Sequence, residues 1–187
     1  MAVLSQYRGR SMPLLTPVNV AATLLAGSLA ALGGALIFQY AGYPPCALCI
    51  YQRIPYVATL AFSLVALSVA LHRPTAEGVG KWGFVALIGL CAVAFAIGAG
   101  LAGFHVGVEQ GLWKGTEACV GAGGPAMTLE EMREAIMNAP LVRCDEAPWQ
   151  ILGVSIAGLN LIASVALFAI AVTAVVSWLK RTAHHHD

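Results

Sequence analysis

Pro44-Pro45-Cys46-Ala47-Leu48-Cys49-Ile50-Tyr51-Gln52-Arg53 joins two long apolar runs and carries a Cys-x-x-Cys pair. Prolines do not continue a helix, so the run before them ends there and a new helix starts just after. In a helix beginning near Cys46, residues three apart share a face, which places Cys46 and Cys49 one above the other. At that spacing they can cycle between dithiol and disulfide. Unpaired N–H groups at a helix start carry partial positive charge and favour a thiolate over a thiol. Arg53, one turn past Cys49 on the same side, adds a permanent positive charge. The stretch reads as a redox-active thiol pair at a membrane surface.

The flanking runs decide the class. Of 187 residues, 59% are hydrophobic and 10% charged, against roughly 25% charged in soluble domains. A soluble domain of this length would lack the polar surface to cover itself, so the chain is an integral membrane protein. A net charge of +1, with no basic patch interleaved with aromatics, gives no sign of nucleic-acid binding. Upstream, residues 18–38 carry no charge and as a helix measure about 31 Å, matching a hydrocarbon core of roughly 30 Å. A signal peptide is the rival reading, but the run is long for one and three more apolar segments follow. Downstream, the second span covers 50–71, with Arg53 in its first turn and Pro55 where a missing N–H is tolerated. The third, 82–104, is rich in Gly and Ala, which let membrane helices approach closely, so it should sit centrally. The fourth, 149–179, is long enough to tilt or project. Trp82, Trp149 and Trp178 mark interfaces. The expected fold is all-α: one membrane domain over 1–187, a four-transmembrane-helix bundle with outer loops 39–49 and 105–148.

Basic residues set the orientation. One side receives Arg8, Arg10, Arg73, Lys81, Lys180 and Arg181; the other receives the Cys46–Cys49 connection and an acidic loop holding Lys114, Arg133 and Arg143. By the positive-inside rule both termini are cytoplasmic, and the four loop cysteines face outside, where disulfides persist. In the long loop, Thr128-Leu129-Glu130-Glu131 has capping-box spacing and opens a short helix to about Asn138. Leu129, Met132 and Ile136 give it an apolar face, lying on the outer leaflet or packed on the bundle. His184-His185-His186, native or the remnant of a tag, are left out of the chemistry.

Cys119 and Cys144 lie 25 positions apart on that loop. Alone they would read as a structural disulfide stapling it. With Cys46 and Cys49 on the same side, disulfide exchange between pairs becomes available, since it needs only access and approach geometry. Metal binding by Cys46, Cys49, Cys119, Cys144 and His105 is the alternative, and an oxidising compartment argues against it. Cys91 lies mid-span and behaves as a small apolar residue.

Cys46-Ala-Leu-Cys-Ile-Tyr-Gln-Arg53 at the mouth of the second of four spans, with two further loop cysteines, resembles the DsbB family of disulfide-generating membrane proteins. The segment from Phe104 to Trp113 (FHVGVEQGLW) and Pro148-Trp149 are similar to it too. The resemblance implies a bacterial inner-membrane enzyme that reoxidises a periplasmic DsbA-type thioredoxin-fold dithiol protein and passes the electrons to a quinone, ubiquinone or menaquinone. It implies that Cys119 forms the mixed disulfide with that partner and that Cys144 is its mate. Cys49 would be the thiolate facing the quinone, Cys46 its disulfide partner, and Arg53 the residue holding the quinone site in register.

The residues support a quinone independently. Electrons leaving a membrane dithiol need an acceptor, and no haem, flavin or iron–sulfur motif is present. Arg53 near the membrane boundary is costly without a partner and so is a functional candidate; its plainer reading is an interfacial anchor. His105 either hydrogen-bonds the quinone or shuttles protons, against the plainer reading of an interfacial side chain. Related chemistry gives the alternatives, a vitamin-K-epoxide-reductase-like enzyme or a dedicated-substrate DsbB paralogue. A non-enzymatic thiol metal carrier or structural membrane subunit is the reading from another class, and thiol state separates it from an enzyme.

Overall fold

A computed structural model describes residues 16–72, 79–116, 119, 128, 130, 143–147 and 149–183. The first helix, α1, runs Pro17–Tyr40. Thr16 caps it by accepting from the Asn19 N–H at 3.2 Å, and proline fills the first turn, where its missing N–H costs nothing. It ends at Gly42, whose φ of +95° lets the chain turn and Tyr43 N–H reach back to the Phe38 carbonyl.

The second span is two helices, α2 (Ala47–Tyr51) and α3 (Arg53–His72), meeting at Gln52. Pro55 explains the break: it has no N–H to offer the Tyr51 carbonyl. The third helix, α4, runs Val79–Glu109. A two-residue hairpin follows the long loop, β1 (Gln150–Ile151) pairing antiparallel with β2 (Val154–Ser155). Leu152 and Gly153, at φ 51° and 80°, form its tight turn. Ser155 then caps the last helix, α5 (Ile156–Ala183), by accepting from the Gly158 N–H.

Four stretches are long and apolar enough to cross a membrane: Pro17–Tyr40, Ala47–His72, Lys81–Glu109 and Ile156–Lys180. The expected bundle is therefore present, with different ends. The third span continues through His105 to Glu109 instead of stopping at Phe104, because partners on other elements satisfy both polar side chains. The fourth begins at Ile156, not Trp149, since the hairpin takes the intervening residues. The expected loop helix lies outside the described residues except at Thr128 and Glu130, as do Arg8, Arg10, Arg73, Arg133 and the terminal histidines.

Buried side chains cover 44% of the α4 span's most apolar window, against 22%, 33% and 22% for the others in chain order. That is the central position its small residues predict. Helix α4 packs along α3 and α5, and α1 packs along α3. A Cβ on Gly98 would lie 3.3 Å from Ser164 Oγ and 3.5 Å from Pro55, so glycine sets how closely α4 approaches its neighbours. Phe95, Leu24, Ile88 and Val20 fill the core, while Ile37, Ile54, Val57, Val93 and Ile162 face outward, as lipid-facing side chains do.

Candidate redox site

The site lies at the end of the bundle where α2 begins. Cys46 is the N-cap of α2, and its sulfur accepts from the Cys49 N–H at 3.3 Å. The two sulfurs are 2.9 Å apart, a hydrogen-bonded dithiol. The third group is His105, whose Nε2 stands 3.6 Å from the Cys46 sulfur. The hydrogen bonds therefore converge on Cys46. Its thiol is pulled down from an ordinary 9.0 to about 4, chiefly by the bond from the Cys49 thiol, with His105 and the Cys49 N–H adding to it against the opposing effect of burial.

Cys119 and Cys144 form a disulfide with Cα atoms 5.3 Å apart. Both are buried in one cluster with Cys46, Leu48 and Val108, against which Cys49 packs. Thus the fold brings together all four loop cysteines that the sequence singled out. The bond also ties up two of the five donors a metal carrier would use. Cys46, Cys49 and His105 remain, with ligand atoms within 4.8 Å of one another. Cys91 stands apart in the core of α4, its thiol 3.9 Å from the Thr59 carbonyl.

A cavity of about 320 Å³ opens beside the dithiol. Apolar residues of α1 (Ala31, Gly34, Phe38) line one side, Cys49 and Arg53 another, and Trp149 closes over Phe38 with ring centroids 4.7 Å apart. Arg53 donates to the Gln39 side chain at 2.8 Å and to the Ala35 carbonyl at 3.5 Å. Its Nε is buried with no partner among the described residues. Arg53 lines the cavity, and its buried N–H without an acceptor is an unmet donor behind that wall.

Several contributors escape a reading by motif. Gln52 Nε2 donates to His105 Nδ1 at 2.8 Å, Asn160 Nδ2 to Gln52 Oε1 at 2.5 Å, and the Tyr56 hydroxyl to Asn160 Oδ1 at 2.6 Å. Glu109 accepts from Ser155 Oγ and stands 3.9 Å from His105 Nε2. A signal for some of them was there: Gln52 and Tyr56 lie four apart in one apolar span, as do Asn160 and Ser164 in another, and such pairs share a helix face.

A four-span bundle that gathers a dithiol, a disulfide and a cavity at one end defines the class, a membrane protein built for thiol–disulfide chemistry. The comparisons narrow it. The family model for disulfide bond formation protein DsbB matches residues 18–174, and the chain belongs to that family. The disulfide bond formation protein B of Psychrobacter sp. (strain PRwf-1) is 34% identical over 172 residues, 86% of this chain and 92% of that one. Its counterpart from Nitrosococcus oceani is 34% identical over 143 residues, 69% and 77% of the two chains. That of Hahella chejuensis is 30% identical over 159 residues, 80% and 86%. No solved structure gives a significant match. Membership makes the chain a multi-pass membrane oxidoreductase that acts in disulfide bond formation.

Proposed function

We propose that the chain reoxidises a DsbA-type thioredoxin-fold dithiol protein and delivers the electrons to a membrane quinone. The observation that carries this reading is the shared burial of Cys119–Cys144 with Cys46, next to a cavity walled by Cys49 and Arg53. The reduced partner's thiolate attacks the Cys119 sulfur, forming a mixed disulfide and releasing Cys144. The partner's second thiol resolves it and leaves oxidised. The Cys119/Cys144 dithiol then exchanges with a Cys46–Cys49 disulfide, so two electrons and one proton reach the inner pair and the second proton passes to water, from which the final acceptor recovers it. On this reading the cysteine end of the bundle faces the periplasm of a bacterial inner membrane, as the asymmetry of basic residues suggests.

The residues around the cavity suit a quinone. A flat apolar ring fits among Ala31, Gly34, Phe38 and Trp149, and the Arg53 guanidinium on the same lining is a donor for a carbonyl. When bound, a quinone accepts two electrons and two protons. Cys49, at the cavity wall, hands over the electrons as the Cys46–Cys49 bond reforms, Cys46 stays back under His105, and Arg53 orients the acceptor. The test of the outer step uses a DsbA-type protein whose second active-site cysteine is serine. Mixed with this chain and trapped with acid, it should give one mixed disulfide, mapped to Cys119. Linkage to Cys46 or Cys49, or none, would contradict the order of transfer.

A further inference from the structure

A run of side chains along the cavity wall, Tyr56, Asn160, Gln52 and His105, leads to Cys46, and its donors point one way. The Tyr56 hydroxyl spends its proton on Asn160 Oδ1, so Ser164 Oγ, 2.9 Å from Tyr56, is left to donate to it. Asn160 Nδ2 donates to Gln52 Oε1, and Gln52 Nε2 donates to His105 Nδ1. An amide NH₂ has no lone pair to offer, so Nδ1 of that ring must be the bare nitrogen. The proton of a neutral imidazole then sits on Nε2. That nitrogen faces acceptors: the Cys46 sulfur at 3.6 Å and the Glu109 carboxyl at 3.9 Å. The donor direction set by α3 and α5 and the acceptors on α4 and at the α2 cap agree on one tautomer.

We propose that Gln52, Asn160 and Tyr56 are positioning residues that hold His105 as a neutral imidazole protonated on Nε2, so that the ring donates to the Cys46 sulfur of the reduced pair. They act through His105, and none of the three touches a sulfur. A neutral donor stabilises the sulfur's negative charge without parting with its own proton. An imidazolium would instead require Gln52 and Asn160 both to be turned over, with Tyr56 accepting from the Asn160 NH₂ and donating to Ser164. The groups facing the ring are Cys46, Glu109, Gln52 and the Cys144 backbone, with Cys49 behind Cys46. The redox part of this inference rests on Cys46–Cys49 being the inner pair; the tautomer does not.

Two readouts test it. In the reduced protein labelled with ¹⁵N-histidine, the His105 resonances, assigned by their loss in His105→Gln, should show a bare Nδ1 and a protonated Nε2 at pH 7. In Gln52→Leu they should become a mixture of tautomers. The glutathione equilibrium of the Cys46–Cys49 pair should shift about tenfold toward the disulfide, the effect of losing one well-placed hydrogen bond to a charged sulfur. Asn160→Leu, one step further out, should act in the same direction more weakly, and serves alone if Gln52→Leu does not fold. Tyr56→Phe keeps the ring packing on Phe95 and should give the smallest shift. A protonated Nδ1 or an imidazolium in the unsubstituted protein overturns the proposal. So does a folded Gln52→Leu or Asn160→Leu protein in which neither readout moves. Failure of quinone reduction alone, with the tautomer as stated, would count against the proposed function and not against this network.

Discussion

Arg53 shows how one side chain can be half tied and half free. Two of its nitrogens bond to α1 through Gln39 and Ala35, which fixes the guanidinium plane beside the cavity and leaves Nε without a partner among the described residues. If the guanidinium orients a quinone, Arg53→Ala should raise the KM for quinone about tenfold, the loss expected for one charge-assisted hydrogen bond, and leave the partner protein's KM unchanged. Arg53→Lys keeps the charge but not the fork, and should fall between the two. Steady-state kinetics with each substrate varied in turn checks this. Cys46 carries a pH signature. Its value of about 4 lies below the ordinary 9.0, so the stabilisation of the reduced protein is complete above the ordinary value and is lost as pH falls through about 4. Between pH 5 and 8 the reduced pair then holds a single proton, shared between two sulfurs 2.9 Å apart. Its potential should change by about 30 mV per pH unit, the slope for one proton per two electrons; about 60 mV would mean both thiols stay protonated. The cysteines, Arg53 and His105 were legible in the sequence because their types and spacing are rare in apolar runs. Which sulfur collects the hydrogen bonds was not, since that depends on His105 arriving from α4 more than fifty residues away.

The elements owe their ends to local chemistry that apolar runs do not advertise. Four spans could be read from hydropathy and length, and the central one from its small residues. The break at Gln52 and the hairpin after Trp149 could not: one follows from Pro55 acting a turn upstream, the other from Leu152 and Gly153 adopting positive φ. The overrun of α4 past Phe104 has a tertiary cause, because Ser155 and Gln52 satisfy Glu109 and His105. Beyond α4, Trp113 folds back on the helix, stacking on Phe104 at 5.8 Å and donating to the Phe104 carbonyl at 2.9 Å. Its ring fills the space that a Cβ at Gly107 would need. Gly107→Ala should therefore expel Trp113, destabilise the protein by roughly 1–3 kcal/mol as overpacking does, and red-shift tryptophan emission. An unchanged spectrum and melting temperature would show that the indole does not rest on Gly107.

At the scale of the whole molecule, the bundle holds a disulfide, a dithiol and a cavity at one end, and the account turns on electrons crossing them in that order. The long loop carries Cys119 and Cys144, and the bundle carries Cys46 and Cys49. Their meeting in one buried cluster could not be read from spacing, because Cys144 lies 25 positions after Cys119 and His105 lies 59 positions after Cys46. The most direct measurement is anaerobic. Purified protein, a soluble ubiquinone and a reduced DsbA-type protein are mixed, and quinone absorbance is followed beside the partner's thiol content. One quinone should be reduced for each disulfide made in the partner, with no turnover in Cys49→Ser or Cys119→Ser. Partner oxidation without loss of quinone, with either of these variants still turning over, would contradict the account.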